Sequence, residues 1–548
     1  MKVSTNDHVG LPTDLLSQFT DEVLKVCSFK GKWSSVKSKL AHLQTHLTDL
    51  TDFPNFASNP LFLELVQSVT GTLEDGLALA RRCQSDDFKE GKLRTQNDID
   101  SIIARLGRHI RDGEILIKSG VLQDGGVVGS SKREALRVDA RNLVTRLQMG
   151  CAESKNVAID SLLGLLMEDD KNVLVAIAQG AVPVLVKLLD SSSAQMKEKT
   201  VYAISRVSMV ESSKHVLIAE GLTLLNHLIR VLESGSGFAK EKACVALLGL
   251  SESKENARAI GSRCGVSSLL EICHTGTPNS QAVAAGVLRN LAIGEIKENF
   301  MDENALPVLL GLLASGTSLA QENVIGCLRN LVAGDEELKL GLAREGGIER
   351  LKSFWDGTPT AQNLEMAVDL LGTLASCAPT AEAIVAEGFI PRLVVVLNCE
   401  VSGVRIAAAK AVNELGFNSK TRKDLGDCGC IPLLVTMLEK KAVDEKEAAA
   451  KALSNLIQCT SNKKIFKKDE RGIVNVVQLL DPLVPNLDKR YPVSILASLV
   501  HSKKCRKLMV AAGASPLLQK LVGMDVEGSK KLFESIRHGK VWGILARP

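Results

Sequence analysis

The sequence predicts an all-α protein in which a four-helix bundle precedes an α-solenoid of about nine to ten repeats. Three observations predict this class. Of the 548 residues, 45% are hydrophobic but only 3% are aromatic, so the apolar mass comes mainly from aliphatic side chains. Long segments rich in Leu and Ala carry apolar residues at spacings of three and four, which favours helices. A glycine-centred pattern then recurs at steps of 39 to 44 residues.

Four amphipathic segments precede the repeats. They read DLLSQFTDEVLKVC, WSSVKSKLAHLQTHLTDL, PLFLELVQSVTGTLEDGLALARRC and QNDIDSIIARLGRHIRDGEIL. Each places its apolar residues on one helical face, and short polar turns separate them. This arrangement predicts an up-and-down bundle over residues 1–120. The Gly- and Ser-containing stretch 121–134 predicts a linker, and the solenoid is expected over 135–548.

The repeats are anchored by a glycine followed by an apolar helix, as in QGAVPVLVKLL and EGFIPRLVVVL. Gly or Asn suits a left-handed turn after a helix, and Pro suits the first turn of the next helix. Each anchor therefore predicts a sharp corner, which a polar loop and an Ala-rich third helix such as AVAAGVLRNLA then follow. Nine positions carry the anchor: Gly180, Gly221, Gly265, Asn304, Gly346, Gly388, Gly429, Gly472 and Gly513. Because one unit cannot bury its apolar face alone, we expect stacked repeats with a continuous core.

These motifs resemble the armadillo repeat family, through the corner pattern G-[AFC]-[VI]-P-x-L-V-x-[LM]-L and the third-helix pattern A-x-x-x-L-x-N-L. The resemblance implies a right-handed α-solenoid in which the third helix of each repeat lines a concave groove. In this family an Asn on that helix commonly holds the backbone of an extended partner segment. That position matches Asn290, Asn330 and Asn455 in this sequence.

The predicted partner-binding groove comprises these three Asn residues, the arginines that precede two of them, and residues at the Asn position of other repeats. The added residues are Arg289, Arg329, Arg206, Glu414 and Ser498. The alternative for each Asn is a structural hydrogen bond to a neighbouring turn.

The nuclear-import adaptors of this family place Trp one helical turn before the Asn. This chain has Gly286, Gly326 and Lys451 there, so a partner lysine would gain no cation–π contact at these positions. A receptor for nuclear-localisation signals is therefore not expected.

The N-terminal segments, the FPNF turn at residues 53–56 and the order of domains resemble plant U-box ubiquitin ligases that carry armadillo repeats. In those ligases a U-box lies between the bundle and the repeats. Here only the linker lies there, and no Cys-Pro-Ile start of a U-box occurs. The resemblance therefore implies a plant armadillo protein that lacks the U-box.

No sequence motif indicates an active site. The chain has no GxGxxG after a strand, no Walker loop, no HExxH and no GxSxG. Its 13 cysteines are scattered without metal-ligand spacing, which indicates a reduced environment. We therefore expect no enzyme activity, no cofactor and no metal site.

The loops that follow the third helices change from acidic to basic along the chain, from MEDDKN at residue 167 to HSKKCRK at residue 501. Because these loops recur once per repeat, the basic ones are expected to form a ridge for an acidic protein or an anionic lipid. A solvated surface is the alternative. Phe466 is the one aromatic residue nearby, which argues against nucleic acid. The predicted basic ridge comprises Lys420, Arg422, Lys423, Lys463, Lys464, Lys467, Lys468, Lys503, Lys504, Arg506 and Lys507.

The function that these observations favour is a non-enzymatic scaffold or adaptor that holds an extended partner segment in the groove. The first alternative is a peripheral tether to membranes or acidic partners through the basic ridge. The second is a non-catalytic substrate-recognition subunit of a ubiquitin ligase. The polar start MKVSTNDHVGLPTD and the lack of an apolar run of about 18 residues lead us to expect neither secretion nor a transmembrane span. We expect a cytoplasmic protein, with nuclear and membrane-peripheral locations as alternatives.

Overall fold

The computed structural model of this chain describes residues 7–53, 56–84, 91–123 and 132–544. These residues are almost entirely α-helical, and no strand occurs among them. Part of the FPNF turn and residues 124–131 of the expected linker lie outside the described residues. The chain divides into two compact units, Met1–Asn256 and Ala257–Pro548. The finer division into bundle, linker and solenoid stays a prediction.

The first unit begins with four helices that pack on one another. α1 packs against α3, α2 packs against α4, and α3 also packs against α4. Phe19, Trp33 and Phe62 are buried in their core, where the rings of Phe19 and Trp33 meet edge to face with centroids 6.3 Å apart. The helices are α1 (Asp7–Leu24), α2 (Lys30–Thr51), α3 (Pro60–Arg82) and α4 (Lys92–Ser119).

Shorter helices make up the rest of the first unit, where α5 and α6 precede two sets of three helices. A further helix, α13, crosses the boundary between the units. The helices are α5 (Lys132–Gln148), α6 (Ala152–Glu168), α7 (Asp170–Ala178), α8 (Ala181–Leu188), α9 (Ala194–Ser208), α10 (Lys214–Ala219), α11 (Gly221–Ser234), α12 (Gly237–Leu250) and α13 (Lys254–Ile260).

The second unit continues this pattern of two short helices and a longer third one. Its helices are α14 (Val266–Thr275), α15 (Pro278–Leu291), α16 (Lys297–Asp302), α17 (Ala305–Ser315), α18 (Ser318–Val332), α19 (Glu336–Arg344), α20 (Gly347–Asp356), α21 (Ala361–Ala375), α22 (Ala378–Ala386), α23 (Phe389–Leu397), α24 (Ser402–Leu415), α25 (Ser419–Asp427), α26 (Cys430–Leu438), α27 (Val443–Leu456), α28 (Thr460–Lys468), α29 (Glu470–Gln478), α30 (Arg490–Leu499), α31 (Lys503–Ala511), α32 (Ala514–Gly523) and α33 (Ser529–Ile544).

Most of the predicted corners have the left-handed backbone that their residue type favours. Gly180, with φ of 81°, and Asn304, with φ of 47°, are examples. The prediction is wrong at two anchors. At the third corner Cys264, with φ of 61°, takes the left-handed conformation instead of Gly265. Gly472 lies inside α29, which begins after Asp469 because the carboxylate of that residue accepts the Gly472 amide N–H at 3.0 Å.

The third helices pack side by side within each unit. In the second unit α15, α18, α21, α24, α27 and α30 follow one another in this way. Their inner faces are closed by residues such as Leu288, Leu328 and Leu371, which are at most 1% exposed. Thr277 and Thr317 fix the start of α15 and α18, because each side chain accepts an amide N–H of the first turn at 3.2 Å. This succession confirms the all-α solenoid class that the repeat spacing predicts. The number of repeats stays a prediction.

Among the described residues, no helix taken singly has the length and apolar character needed to cross a membrane. Two bent pairs reach that length and composition only when combined. They are Asp170–Ala178 with Ala181–Leu188, bent by 85°, and Glu211–Ala219 with Gly221–Ser234, bent by 100°.

Candidate partner-binding groove

All eight predicted groove residues lie on third helices, and all eight side chains are half-buried. Arg206 is on α9 of the first unit. The other seven lie in the second unit, where α15 and α18 carry the two Arg-Asn pairs and α24, α27 and α30 carry Glu414, Asn455 and Ser498. The candidates therefore lie on the third helices that pack side by side in each unit. We call this row of third helices the ladder.

Asn330 links two neighbouring third helices. Its side-chain Nδ2 donates to the backbone oxygen of Arg289 at 3.1 Å, and Asn323 of the same helix donates to Ala282 O at 2.9 Å. These bonds hold α18 against α15. No hydrogen bond between described residues engages the Oδ1 atom of Asn330, which leaves an acceptor for the N–H group of a bound segment.

The two arginines of the pairs are also positioned by the next helix. Arg289 lies against Gly326 of α18, where a Cβ atom would come within 2.7 Å of its Cδ and Nε atoms. Arg329 donates from Nη1 to Asp369 Oδ2 of α21 at 3.1 Å, in a pair whose side chains are 36% and 40% exposed. The pair with Asp369 thus holds the Arg329 guanidinium against α21. The absence of a side chain at Gly326 makes the room that Arg289 occupies.

Asn455 is satisfied within the protein at both ends of its amide. Nδ2 donates to Asn413 O at 2.8 Å, and Oδ1 accepts from Arg422 Nε at 3.0 Å. The same Arg422 nitrogen donates to Gly416 O at 2.8 Å. This geometry supports the structural alternative for Asn455, because its amide has little left to offer a partner.

The remaining groove candidates make local or interhelical contacts. Arg206 donates to Leu166 O at 3.0 Å and pairs with Asp170. Glu414 lies 3.8 Å from Lys451 of α27. Ser498 donates to the backbone of its own helix. These side chains fix the ladder and face solvent only in part.

The first unit's ladder carries an aromatic pair that the repeat pattern did not predict. Tyr202 of α9 and Phe238 of α12 meet edge to face with centroids 5.5 Å apart. The Nζ atom of Lys242 lies 5.2 Å from the Tyr202 ring centroid and 5.1 Å from that of Phe238. Tyr202 precedes Arg206 by four residues, the spacing by which Gly286 precedes Asn290. Comparing the position four residues before the Asn position in every repeat, and not only in those with Asn, would have identified Tyr202.

The basic ridge residues lie on α25, α28 and α31, with Lys420 and Lys464 among the exposed ones. Three of the eleven are engaged within the protein. Arg422 makes the bonds described above, Arg506 donates to Val500 O at 3.3 Å, and Lys504 pairs with Glu470 at 2.8 Å. Phe466 is fully buried, so it cannot stack on a nucleic-acid base.

Cysteines near the ladder have the properties of apolar filling residues. Burial raises the pKa of the Cys273 and Cys430 thiols to about 12. The thiolate forms are therefore scarce near neutral pH, and these side chains are poor nucleophiles.

Two family profiles match different parts of this chain. The family profile described as "Armadillo/beta-catenin-like repeat" matches residues 169–209 and 418–457. A second profile, described as "Domain of unknown function (DUF7032)", matches residues 11–121, which include the bundle helices α2, α3 and α4.

A curated human relative and a solved structure are also similar to this chain. "Armadillo repeat-containing protein 3" of Homo sapiens is 27% identical over 147 residues, which are 27% of this chain and 17% of the human protein. The chain thus matches about a sixth of that relative's length. The crystal structure of an engineered protein from the Northeast Structural Genomics Consortium has a TM-score of 0.65 and 24% identity, and covers 73% of this chain and 98% of its own. That likeness shows the fold. This chain therefore contains armadillo repeats and folds as an all-α solenoid.

Proposed function

We propose that this protein is a non-enzymatic scaffold that holds an extended segment of a partner protein along the third helices of its second unit. Armadillo repeat proteins are generally protein-binding scaffolds, and their solenoid fold is typically non-enzymatic. The observation that carries the proposal is the pair of neighbouring Arg-Asn positions, Arg289-Asn290 and Arg329-Asn330, which occupy the same place on successive helices and are half-exposed.

The spacing of the helices suits an extended segment. Packed helices lie about 8–10 Å apart, and an extended chain rises about 3.3 Å per residue. Two to three residues of a bound segment would therefore pass each helix, so that its backbone groups meet one Asn per repeat. Because contacts with neighbouring helices already position Asn330, Arg289 and Arg329, little conformational entropy of these side chains is lost when a segment binds.

The test compares capture of partners by the full chain and by two variants. Replacing Asn290 and Asn330 together by Ala removes both amides and is expected to weaken capture about tenfold or more, since two hydrogen bonds are lost. Asn475→Ala is the matched control, because Asn475 on α29 also reaches an adjacent repeat, bonding Glu439 at 3.2 Å, but lies off the ladder. Circular dichroism verifies folding, since Asn330 also links α18 to α15. Equal capture by both variants would rule out the groove.

A second candidate function is a tether through the basic ridge, and the exposed lysines favour it. No hydrogen bond or ion pair between described residues engages the side chains of eight of the ridge residues, so their charges are available to an acidic protein or an anionic membrane. The expected behaviour is binding to vesicles of phosphatidylserine and phosphatidylcholine that 0.5 M salt abolishes, since exposed charges are screened within about 10 Å at 0.1 M salt. Charge reversal by Lys464→Glu and Lys468→Glu should reduce it. Binding that ignores both salt and these changes would contradict the tether. The role in a ubiquitin ligase, the plant origin and the cytoplasmic location stay predictions.

A further inference from the structure

The first unit contains a cavity of about 230 Å³ where helices α9, α11 and α12 meet. Val201 and Ala239 line it and are at most 4% exposed, so part of its wall is apolar. The volume would hold about seven water molecules at about 30 Å³ each. The cavity therefore suits a small group or the end of a side chain. None of the predicted groove or basic ridge residues lines it.

Two cationic side chains line this cavity without a partner in the protein. Lys197 lies on α9 and Arg230 lies on α11, and both are exposed. No hydrogen bond or ion pair between described residues engages the ammonium group of Lys197 or the guanidinium group of Arg230. Both charges are therefore available to a group that enters the cavity.

A buried imidazole is the third donor. His227 of α11 lines the cavity and is 7% exposed. Its Nδ1 atom lies 3.6 Å from Asp190 Oδ1, beyond the usual hydrogen-bond range of about 2.7–3.2 Å, and no hydrogen bond between described residues engages the ring. Neither ring nitrogen is among the described polar atoms that burial cuts off from solvent. A neutral imidazole carries one N–H donor and a protonated one carries two, so His227 can donate to a ligand in either form.

The charge of the cavity favours an anion. Among the described residues that line it, Glu198 is the one with a carboxylate, and the Ser236 hydroxyl donates to it. Lys197 and Arg230 outnumber that single negative charge. Asp190 does not line the cavity, and its side chain is 64% exposed, so water screens its charge. Beside an apolar wall, hydrogen bonds from cations to an anion are stronger than in open water.

We propose that this cavity binds a phosphoryl group, with Lys197, Arg230 and His227 as its donors. A phosphate monoester carries a charge of about −1.5 to −2 near pH 7 and three terminal oxygens that accept strong hydrogen bonds. Each of the three donors can therefore meet its own oxygen, whereas a carboxylate offers two oxygens. The phosphoryl group belongs to a free phosphate compound or to a phosphorylated side chain of a partner. This inference is independent of the groove, since it involves neither the second unit nor its Asn residues.

The experiment uses the full chain labelled with ¹³C in its His imidazole rings, and inorganic phosphate replaces chloride at constant ionic strength. We expect a saturable shift of the His227 signal, which the loss of one signal in His227→Gln identifies. Lys197→Gln and Arg230→Gln each remove one charged donor and should weaken phosphate binding about tenfold, since hydrogen bonds to charged groups are the strong ones.

Lys171→Gln is the matched control, because it also removes an exposed lysine charge from the first unit, but on α7 and outside the cavity. It should bind phosphate as the unaltered chain does. The proposal is overturned if the unaltered chain shows no saturable His227 shift, or if Lys197→Gln and Arg230→Gln bind phosphate as tightly as Lys171→Gln.

A blocked Ala-phosphoserine-Ala peptide distinguishes the two sources of the phosphoryl group. Binding at least as tight as that of inorganic phosphate indicates a phosphorylated side chain of a partner. Saturable binding of inorganic phosphate without binding of the peptide indicates a free phosphate compound. Circular dichroism verifies that each variant is folded.

Discussion

At the residue scale, amides that look alike in the sequence have different roles in the structure. The Asn455 amide is satisfied at both ends, by Asn413 O and by Arg422 Nε, whereas Asn330 donates to Arg289 O and keeps its oxygen available. The repeat spacing predicted that both lie on third helices. It could not predict this difference, because each bond joins residues about 40 positions apart and depends on how one repeat stacks on the next. The same applies to Arg422: the prediction that it lies in a loop is wrong, because it lies on α25, and its side chain bonds Gly416 O and Asn455.

His109 provides a prediction about pH at this scale. Burial lowers its folded pKa from 6.5 to about 4, so between these values the unfolded chain binds a proton that the folded chain does not. The free energy of unfolding attributable to His109 is therefore constant above about pH 6.5 and falls by roughly 3 kcal/mol as the pH drops to 4. Urea unfolding at pH 7 and pH 4.5 should show a smaller loss in His109→Phe than in the unaltered chain. An equal loss in both would contradict the burial of a neutral imidazole.

At the element scale, contacts between adjacent third helices stabilise the ladder, and a buried ion pair is the clearest of them. Arg405 of α24 and Glu445 of α27 are joined at 2.6 and 3.0 Å, with side chains 10% and 2% exposed. Arg405→Leu leaves the Glu445 carboxylate buried without its partner and should cost about 3–5 kcal/mol. Replacing both, by Arg405→Met and Glu445→Leu, should cost much less. Denaturant unfolding of the three proteins measures this, and equal losses in single and double variants would contradict it.

The corners show how far sequence patterns determine an element. Glycine with the right spacing predicted most left-handed corners, because few other residues adopt positive φ at low cost. At Gly472 a stronger local signal prevails, since Asp469 caps the start of α29 and moves the corner upstream. At the third corner Cys264 takes the left-handed conformation, which no residue propensity predicts. The repeat period alone predicts the groove candidates. The aromatic pair of Tyr202 and Phe238 is found only when the position four residues before the Asn position is also compared in repeats that lack Asn.

At the scale of the whole molecule, different surfaces carry different kinds of side chain. The ladder of the second unit carries Arg and Asn side chains. Helices α25, α28 and α31, the first helices of its last repeats, carry lysines. The first unit adds an aromatic pair and a cavity lined by cations. Composition and period predicted the fold class but not the cavity, because the cavity is formed by α9, α11 and α12 together, and residues such as Lys197 and His227 have no motif in common.

Hydrogen–deuterium exchange of the full chain, alone and with the partner that the capture experiment recovers, tests the proposed groove directly. We expect slower amide exchange in α15 and α18 on binding, and loss of this protection when Asn290 and Asn330 are both replaced by Ala. Slower exchange confined to α25, α28 and α31, with α15 and α18 unchanged, would contradict it and favour the basic ridge.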